Sequence, residues 1–224
     1  PHFTAGVKPY LLTEIDNNLG ATTRIQYCSS TQFYLEDEQQ GQPWATKLPF
    51  PVQVVAKVET IDNISKSKFV TCYKYHNGYY DQVEREFRGF AFVEQWDTED
   101  FNTFSQPGLH EEYQDKNLNP ALHVPPVHIK RWYCTGAYTE ADALAQQFAE
   151  QRYQGDSQAL PVPDCQFAPP ILSSNAETLR QAHRALRGQL IQEEIYGLDS
   201  TQSCFGNEER IPETPSENPY QITA

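Results

Sequence analysis

Phe69-Val70-Thr71-Cys72-Tyr73-Lys74-Tyr75-His76-Asn77-Gly78-Tyr79-Tyr80-Asp81 is the stretch that decides the fold class. From Phe69 to Tyr75 aromatic residues alternate with polar ones, the period of two that sends successive side chains to opposite faces of a strand. His76-Asn77-Gly78 follows, and Asn-Gly readily supplies the positive φ of a tight turn, so a hairpin is expected there with its return strand starting at Tyr79. Val83 to Trp96 keeps the period. It sets Glu84, Glu86 and Arg88 on the face opposite Val83, Arg85 and Phe87, with Gly89 as the expected bulge.

Toward the N-terminus, Tyr10 to Tyr27 reads as two short strands around Asp16-Asn17-Asn18-Leu19-Gly20. Leu48-Pro49-Phe50-Pro51 gives an extended entry to a β-branched run, Val52 to Ile61, closed by Asp62-Asn63. Toward the C-terminus, Asp97 to Pro120 carries six acids against Lys116 alone and reads as a mobile, solvated loop. His128 to Tyr133 resumes a strand. Thr139 to Tyr153 changes to helical spacing, with Thr139 as N-cap and Ala141, Leu144, Ala145 and Phe148 as the apolar stripe. Ala159 to Pro170 holds four of the 16 prolines and reads as an extended linker. A second helix, capped by Asn175 or Ser174, is expected to carry the stripe Leu179, Ala182, Leu186, Leu190 and Ile191, to contain Gly188 and to stop at Gly197. The expected fold is mainly β (α+β), a curved antiparallel sheet with two helices in the C-terminal half. Residues 1–138 form the β-rich segment and 139–200 the two-helix segment with its proline linker. Residues 201–224 form a polar tail and the start of a further strand.

Only 38% of the 224 residues are hydrophobic, and 13 Tyr and 12 Phe carry much of that share, which suits half-buried strands better than a thick aliphatic core. A net charge of -13 repels a phosphate backbone and excludes nucleic acid as a partner. The apolar runs fall far short of the ~20 residues that cross a bilayer, so no direct membrane contact is expected. The chain starts at Pro1 and contains no Met, and so reads as internal to a longer protein. Its five cysteines are widely spaced and form no C-x-x-C pair, and they read as free thiols.

The motifs that carry chemistry are weak. His110-Glu111-Glu112-Tyr113-Gln114 misses the second histidine of the H-E-x-x-H zinc signature, and it falls in a loop. His123 and His128 flank Pro125-Pro126, whose extended backbone cannot pair two imidazoles as a helical turn would. Cys134 and His128 could be drawn as nucleophile and base, but chance accounts for that pairing. Glu84 and Glu86, two apart on a strand, would place carboxylates ~7 Å apart, within the inverting-glycosidase range, although a surface Glu-Glu-Arg ladder is the commoner outcome. Asn63-Ile64-Ser65 fits a glycosylation sequon. No catalytic, cofactor-binding or metal residue is assigned, and the chain is expected not to be an enzyme.

Lys8-Pro9-Tyr10-Leu11-Leu12, Gly20 to Tyr27, Leu48 to Val55 and Gly78-Tyr79-Tyr80-Asp81 follow one another in order. After them come Arg85-Glu86-Phe87-Arg88-Gly89-Phe90, Val93 to Asp97, Thr135-Gly136-Ala137-Tyr138, Leu186-Arg187-Gly188 and Glu194-Ile195-Tyr196. Together they resemble the middle region of the B component of bacterial insecticidal toxin complexes (Tc toxins). These are large secreted proteins that also carry a Salmonella virulence plasmid B-like domain and Rhs-type repeats. The resemblance implies a piece of the β-strand shell that B and C components build around a toxic polypeptide. The partners it implies are the remainder of the B chain, the C component with its enclosed toxin and, through a propeller absent here, the A component. The competing expectation is a secreted carbohydrate-binding or glycosidase module using Tyr79, Tyr80, Trp96 and Trp132.

Overall fold

The computed structural model of the chain describes residues 10–64, 67–98, 126–155, 171, 174–198 and 220–221. Among them eight strands form one open antiparallel sheet whose spatial order repeats the chain order. They are β1 (Glu14–Asp16), β2 (Ala21–Ser29), β3 (Gln53–Asp62), β4 (Ser67–Asp81), β5 (Glu86–Thr98), β6 (Val127–Tyr133), β7 (Leu190–Gly197) and β8 (Tyr220–Gln221). Three helices accompany the sheet: α1 (Ser30–Gln39), α2 (Ala141–Gln151) and α3 (Ala176–Ala185). The fold is therefore mainly β, with the two expected helices in the C-terminal half and α1 in addition.

The first hairpin forms as its polar turn dictates. Asn18 (φ 55°) and Gly20 (φ 102°) take the left-handed backbone, while Asn17 Oδ1 accepts from the amides of Leu19 and Ala21 at 2.8 and 2.9 Å. The expected turn at His76-Asn77-Gly78 does not form, because β4 runs straight through it. Asn77 does adopt a positive φ of 55°, but inside the strand, and its fully buried side chain accepts the amide hydrogen of Ala45 at 2.8 Å. A Cβ on Gly78 would come within 3.0 Å of Trp44, Leu48 and Phe90, so the small residue admits the connection between α1 and β3 onto the strand. The chain reverses instead after Asp81, whose Oδ1 accepts from the amides of Val83 and Glu84 at 2.8 and 3.0 Å. Val83, Glu84 and Arg85 thus belong to the turn and not to β5. The bulge expected at Gly89 is present: Gly78 faces Phe90 but Tyr80 faces Phe87, and Gly89 has φ 91°.

In the C-terminal half, α2 is capped at Glu140 and not Thr139, whose hydroxyl bonds the Glu140 carboxylate instead. Leu144 and Phe148 are buried as expected, whereas Ala145 is exposed. Asn175 caps α3, its Oδ1 accepting from Thr178 N at 2.9 Å. The helix does not continue to Gly197. Gly188 (φ 79°) ends the turn after it and donates to Cys134 O at 2.7 Å, and Leu190–Gly197 pairs with β6 as β7. Its apolar residues at 190 and 191 fit either period, and only pairing with β6 decides between them. Cys28 is a free thiol, but Cys72 is disulfide-bonded, which corrects the expectation of five free thiols. Apart from Asp97 and Thr98, which lie in β5, the acidic loop falls outside the described residues, as do the proline linker and the zinc-like motif.

Register lines up β4 to β7 so that side chains on one face form rows. His76, Phe92, Trp132 and Gln192 make one, Lys74, Glu94, Lys130 and Glu194 the next, and Cys72, Trp96, His128 and Tyr196 the third. The first row leads into the core, where Phe92 stacks on the fully buried Trp132 at 5.0 Å, and Tyr79, Ala91, Ala137, Leu144 and Phe148 close around them. Trp132→Ala should therefore cost roughly 3–5 kcal/mol. Asn175→Ala, which removes only a helix cap, should cost about 1 kcal/mol. Urea unfolding of the two variants beside the parent measures both, and equal losses would contradict this placement of the core.

Candidate functional site

α3 contributes no buried residue to the core, so apolar burial does not hold it on the sheet. Charge does. Arg180, Arg184 and Arg187 recur at i, i+4 and i+7, one face of a helix and its exit turn, and they meet the acids of the β4–β5 turn. Arg180 Nη2 donates to Glu84 Oε1 at 2.8 Å and to Glu177 Oε1 at 2.9 Å, Arg184 lies 3.7 Å from Glu84 and 3.9 Å from Glu86, and Arg187 bonds Glu86. Beneath them is Arg88, whose side chain is wholly out of solvent. Its guanidinium reaches Asp81 Oδ2 at 2.6 Å, Gly136 O at 2.9 Å and Glu86 at 3.4 Å, and it lies over the Tyr79 ring. The planar fork suits such a site because it offers donors in several fixed directions.

Two close approaches complete the latch. Gly136 (φ 69°) passes so near α3 that a Cβ there would sit 2.8 Å from His183 O and 3.0 Å from Arg184 Cα. Asp81 is drawn below the usual carboxylate range: burial opposes this, but the amides of Glu84 and Val83 and the charges of Arg88 and Arg180 outweigh it. Glu86 is lowered chiefly by its bond from Arg187. The blocks Gly78–Asp81, Arg85–Phe90, Thr135–Tyr138 and Leu186–Gly188, which lie far apart in the sequence, all supply residues to this one place.

A second polar group crosses the sheet. Asp37 of α1 lies 2.6 Å from His76 Nδ1, His76 Nε2 lies 3.2 Å from Glu94 Oε1, and Glu94 Oε2 lies 2.7 Å from His128 Nε2. Trp44 Nε1 donates to Asp37 at 2.6 Å, and His128 stacks on Trp96 at 4.4 Å. Nothing in the sequence reading singled out Asp37 or His76. The signal was available as a histidine in a strand two residues from a lysine, but its partners lie 39 and 18 residues away.

The residues flagged from sequence thus meet partners of a structural kind. Glu84, Glu86 and Arg88 do converge, as an arginine-paired cluster in which the lowered Glu86 is held as the anion and not as a proton donor. His128 and Cys134 lie at opposite ends of β6, ~20 Å apart at ~3.3 Å per residue. Asn63 Nδ2 donates to Thr22 Oγ1 at 3.0 Å. Tyr79 and Trp132 are in the core and so face no ligand. Among the described residues no group of three His, Cys, Asp or Glu is arranged to hold a metal ion.

Among the described residues, an open, sequentially ordered sheet with its outer helix pinned by paired charges defines a β module whose first strand is exposed. The chain belongs to the family of the insecticide toxin TcdB middle/N-terminal region, which matches residues 3–116. It is a segment of a toxin-complex B component. Among solved structures it is similar to TcdB2-TccC3 without the hypervariable C-terminal region, at 33% identity and a TM-score of 0.63 over 87% of this chain. It is also similar to TcdB2-TccC3-Cdc42, at 32% identity and a TM-score of 0.62 over 85% of this chain. A third likeness is to the Photorhabdus luminescens Tc holotoxin pore, at 33% identity and a TM-score of 0.62 over 86% of this chain. The chain spans 9%, 9% and 8% of the lengths of those three chains. No curated protein matches it.

Arg88→Ala should destabilise the fold by roughly 3–5 kcal/mol, because it takes the nearest cation from the buried Asp81 and leaves only Arg180, 3.8 Å away. Arg187→Ala, which removes a solvent-facing partner of Glu86, should cost much less. Chemical denaturation of the two variants gives the comparison. Hydrogen exchange should also show α3, but not α2, losing protection between low and 1 M salt, where screening shortens to about 3 Å.

Proposed function

We propose that this segment is a piece of wall: part of the β-strand shell with which a secreted toxin-complex B component, together with its C component, encloses a cytotoxic polypeptide. It does so without catalysis of its own. The observation that carries the reading is the sheet itself. Among the described residues every strand pairs with its chain neighbour, the sheet stays open, and its first strand is exposed throughout, which offers an edge that a larger sheet would continue.

The partners follow from the same reading. They are the remainder of the B chain along that edge, the C component with its enclosed toxin, and the A component indirectly through a propeller. Support comes from the solved complexes it resembles, whose names pair TcdB2 with TccC3 and describe a holotoxin pore. A charge of -13 speaks against nucleic acid. No helix among the described residues is long and apolar enough to cross a membrane. The sugar-binding reading has no comparable support, since Trp132 and Tyr79 are buried and Trp96 stacks on His128.

A wall has an inside and an outside. In a full-length B component co-produced with its C component, a photo-crosslinking residue at Ile195, on the face away from the Lys74–Glu194 row, should be compared with one at Ala145, on the exposed side of α2. Crosslinks to the enclosed polypeptide from one position only are expected. Crosslinks from neither or from both would sink the proposal.

A further inference from the structure

The hydrogen-bonded chain Asp37–His76–Glu94–His128 joins α1 to three successive strands. We propose that it is a pH-operated clamp: a protonated His76 grips both Asp37 on α1 and Glu94 on the sheet, whereas a neutral His76 can hold only one of the two and so loosens the helix.

The argument rests on donor counting. Both ring nitrogens of His76 face carboxylate oxygens, at 2.6 Å on the Asp37 side and 3.2 Å on the Glu94 side. A neutral imidazole carries one N–H and one lone pair, so it can serve only one of the two acids and turns its lone pair on the other. Only the imidazolium satisfies both. The site is too dry to relax the conflict with water, since Asp37 is 6% and His76 9% exposed. The surrounding charges are already committed. Glu94 also holds His128, Asp37 also accepts from Trp44 Nε1, and Lys74 lies 3.8 Å from Glu36 on α1 and over the Trp96 ring. The Phe92 ring stacked on His76 supplies no donor.

α1 depends on this contact more than an ordinary helix would. Its buried residues are Ser30, Phe33 and Asp37, so one aromatic and one carboxylate carry most of its attachment to β4, Phe33 meeting Tyr75 at 5.9 Å.

The two acid–base shifts run in opposite directions, and both favour the charged forms of the pair. Burial disfavours the His76 cation, yet the bonds and charges of Asp37 and Glu94 prevail and push it up to about 9. Its stabilisation is complete below the unfolded value of ~6.5 and is lost as pH rises through about 9. Burial would raise Glu94, but His128 and His76 hold it well below the usual range. Its contribution is present above its unfolded value of ~4.3 and fades only as pH falls through its lowered folded value. The clamp is therefore closed from mildly acidic to neutral pH and opens on the alkaline side.

Hydrogen exchange in a full-length B component, corrected for intrinsic rates and followed from pH 6 to 10, tests this. Protection of the α1 amides should fall at least tenfold, with a midpoint near 9, while α2 keeps its protection. Asp37→Asn, which leaves one carboxylate on the ring, should move that midpoint down by at least one pH unit. In His76→Gln the α1 protection should be low and independent of pH. Loss of α1 and α2 protection in parallel would overturn the clamp, as would an unmoved midpoint in Asp37→Asn, which remains informative if His76→Gln does not fold.

Discussion

A guanidinium out of reach of water must have its charge answered locally, and Arg88 is such a group. It faces an aspartate from the end of β4, a glutamate from the start of β5 and a backbone carbonyl from the link between β6 and α2. Without the cation the buried Asp81 carboxylate would lose its nearest counter-charge and the Gly136 carbonyl its donor, which makes the arrangement strongly cooperative. The turn after Asp81, the path through Gly136 and the seat of α3 are therefore one interdependent arrangement. α3 buries no side chain fully, Leu179 and Ala182 being half-buried and His183 meeting the Tyr138 ring, so the C-terminal helix is placed more by electrostatics than most helices are.

The same economy runs across the sheet. With 38% hydrophobic residues the chain cannot line both faces with aliphatics, and even between the aromatic rows of the core-bearing face it sets a row of charges that alternate in sign from strand to strand, Lys74, Glu94, Lys130 and Glu194. Glu194 is 2% exposed and is satisfied by Tyr196 OH, Gln192 and the Tyr153 amide. Lys130 lies over the Tyr196 ring. Rows of this kind penalise any slip of register, because a shift of one residue would send every charge to the opposite face.

Strands were legible where alternation was long, as in β3 and β4, and so were the turn at Asn17-Asn18 and the bulge at Gly89. What failed had a local signature that served a distant purpose. Asn77-Gly78 has the chemistry of a hairpin, but its left-handed residue is used to accept the amide of Ala45, and no local rule reports that contact. Leu190 and Ile191 fit a helical stripe until β6 is known to lie beside them. α1 has no apolar stripe and went unread, although Ser29 caps it. At the charged latch, Glu84, Glu86 and Arg88 were visible as a group. Their counter-ions were visible only as three arginines on one side of a helix about a hundred residues later. Sequence distance hid the match, not residue type.

Because spatial order repeats chain order, each strand needs only the strand made just before it as a template. A sheet of this kind grows in the direction in which the ribosome delivers it, one margin always finished and the other always waiting. No strand has to be inserted between two already paired, so a wall built this way can be lengthened by adding chain at its end without reopening what has been laid down.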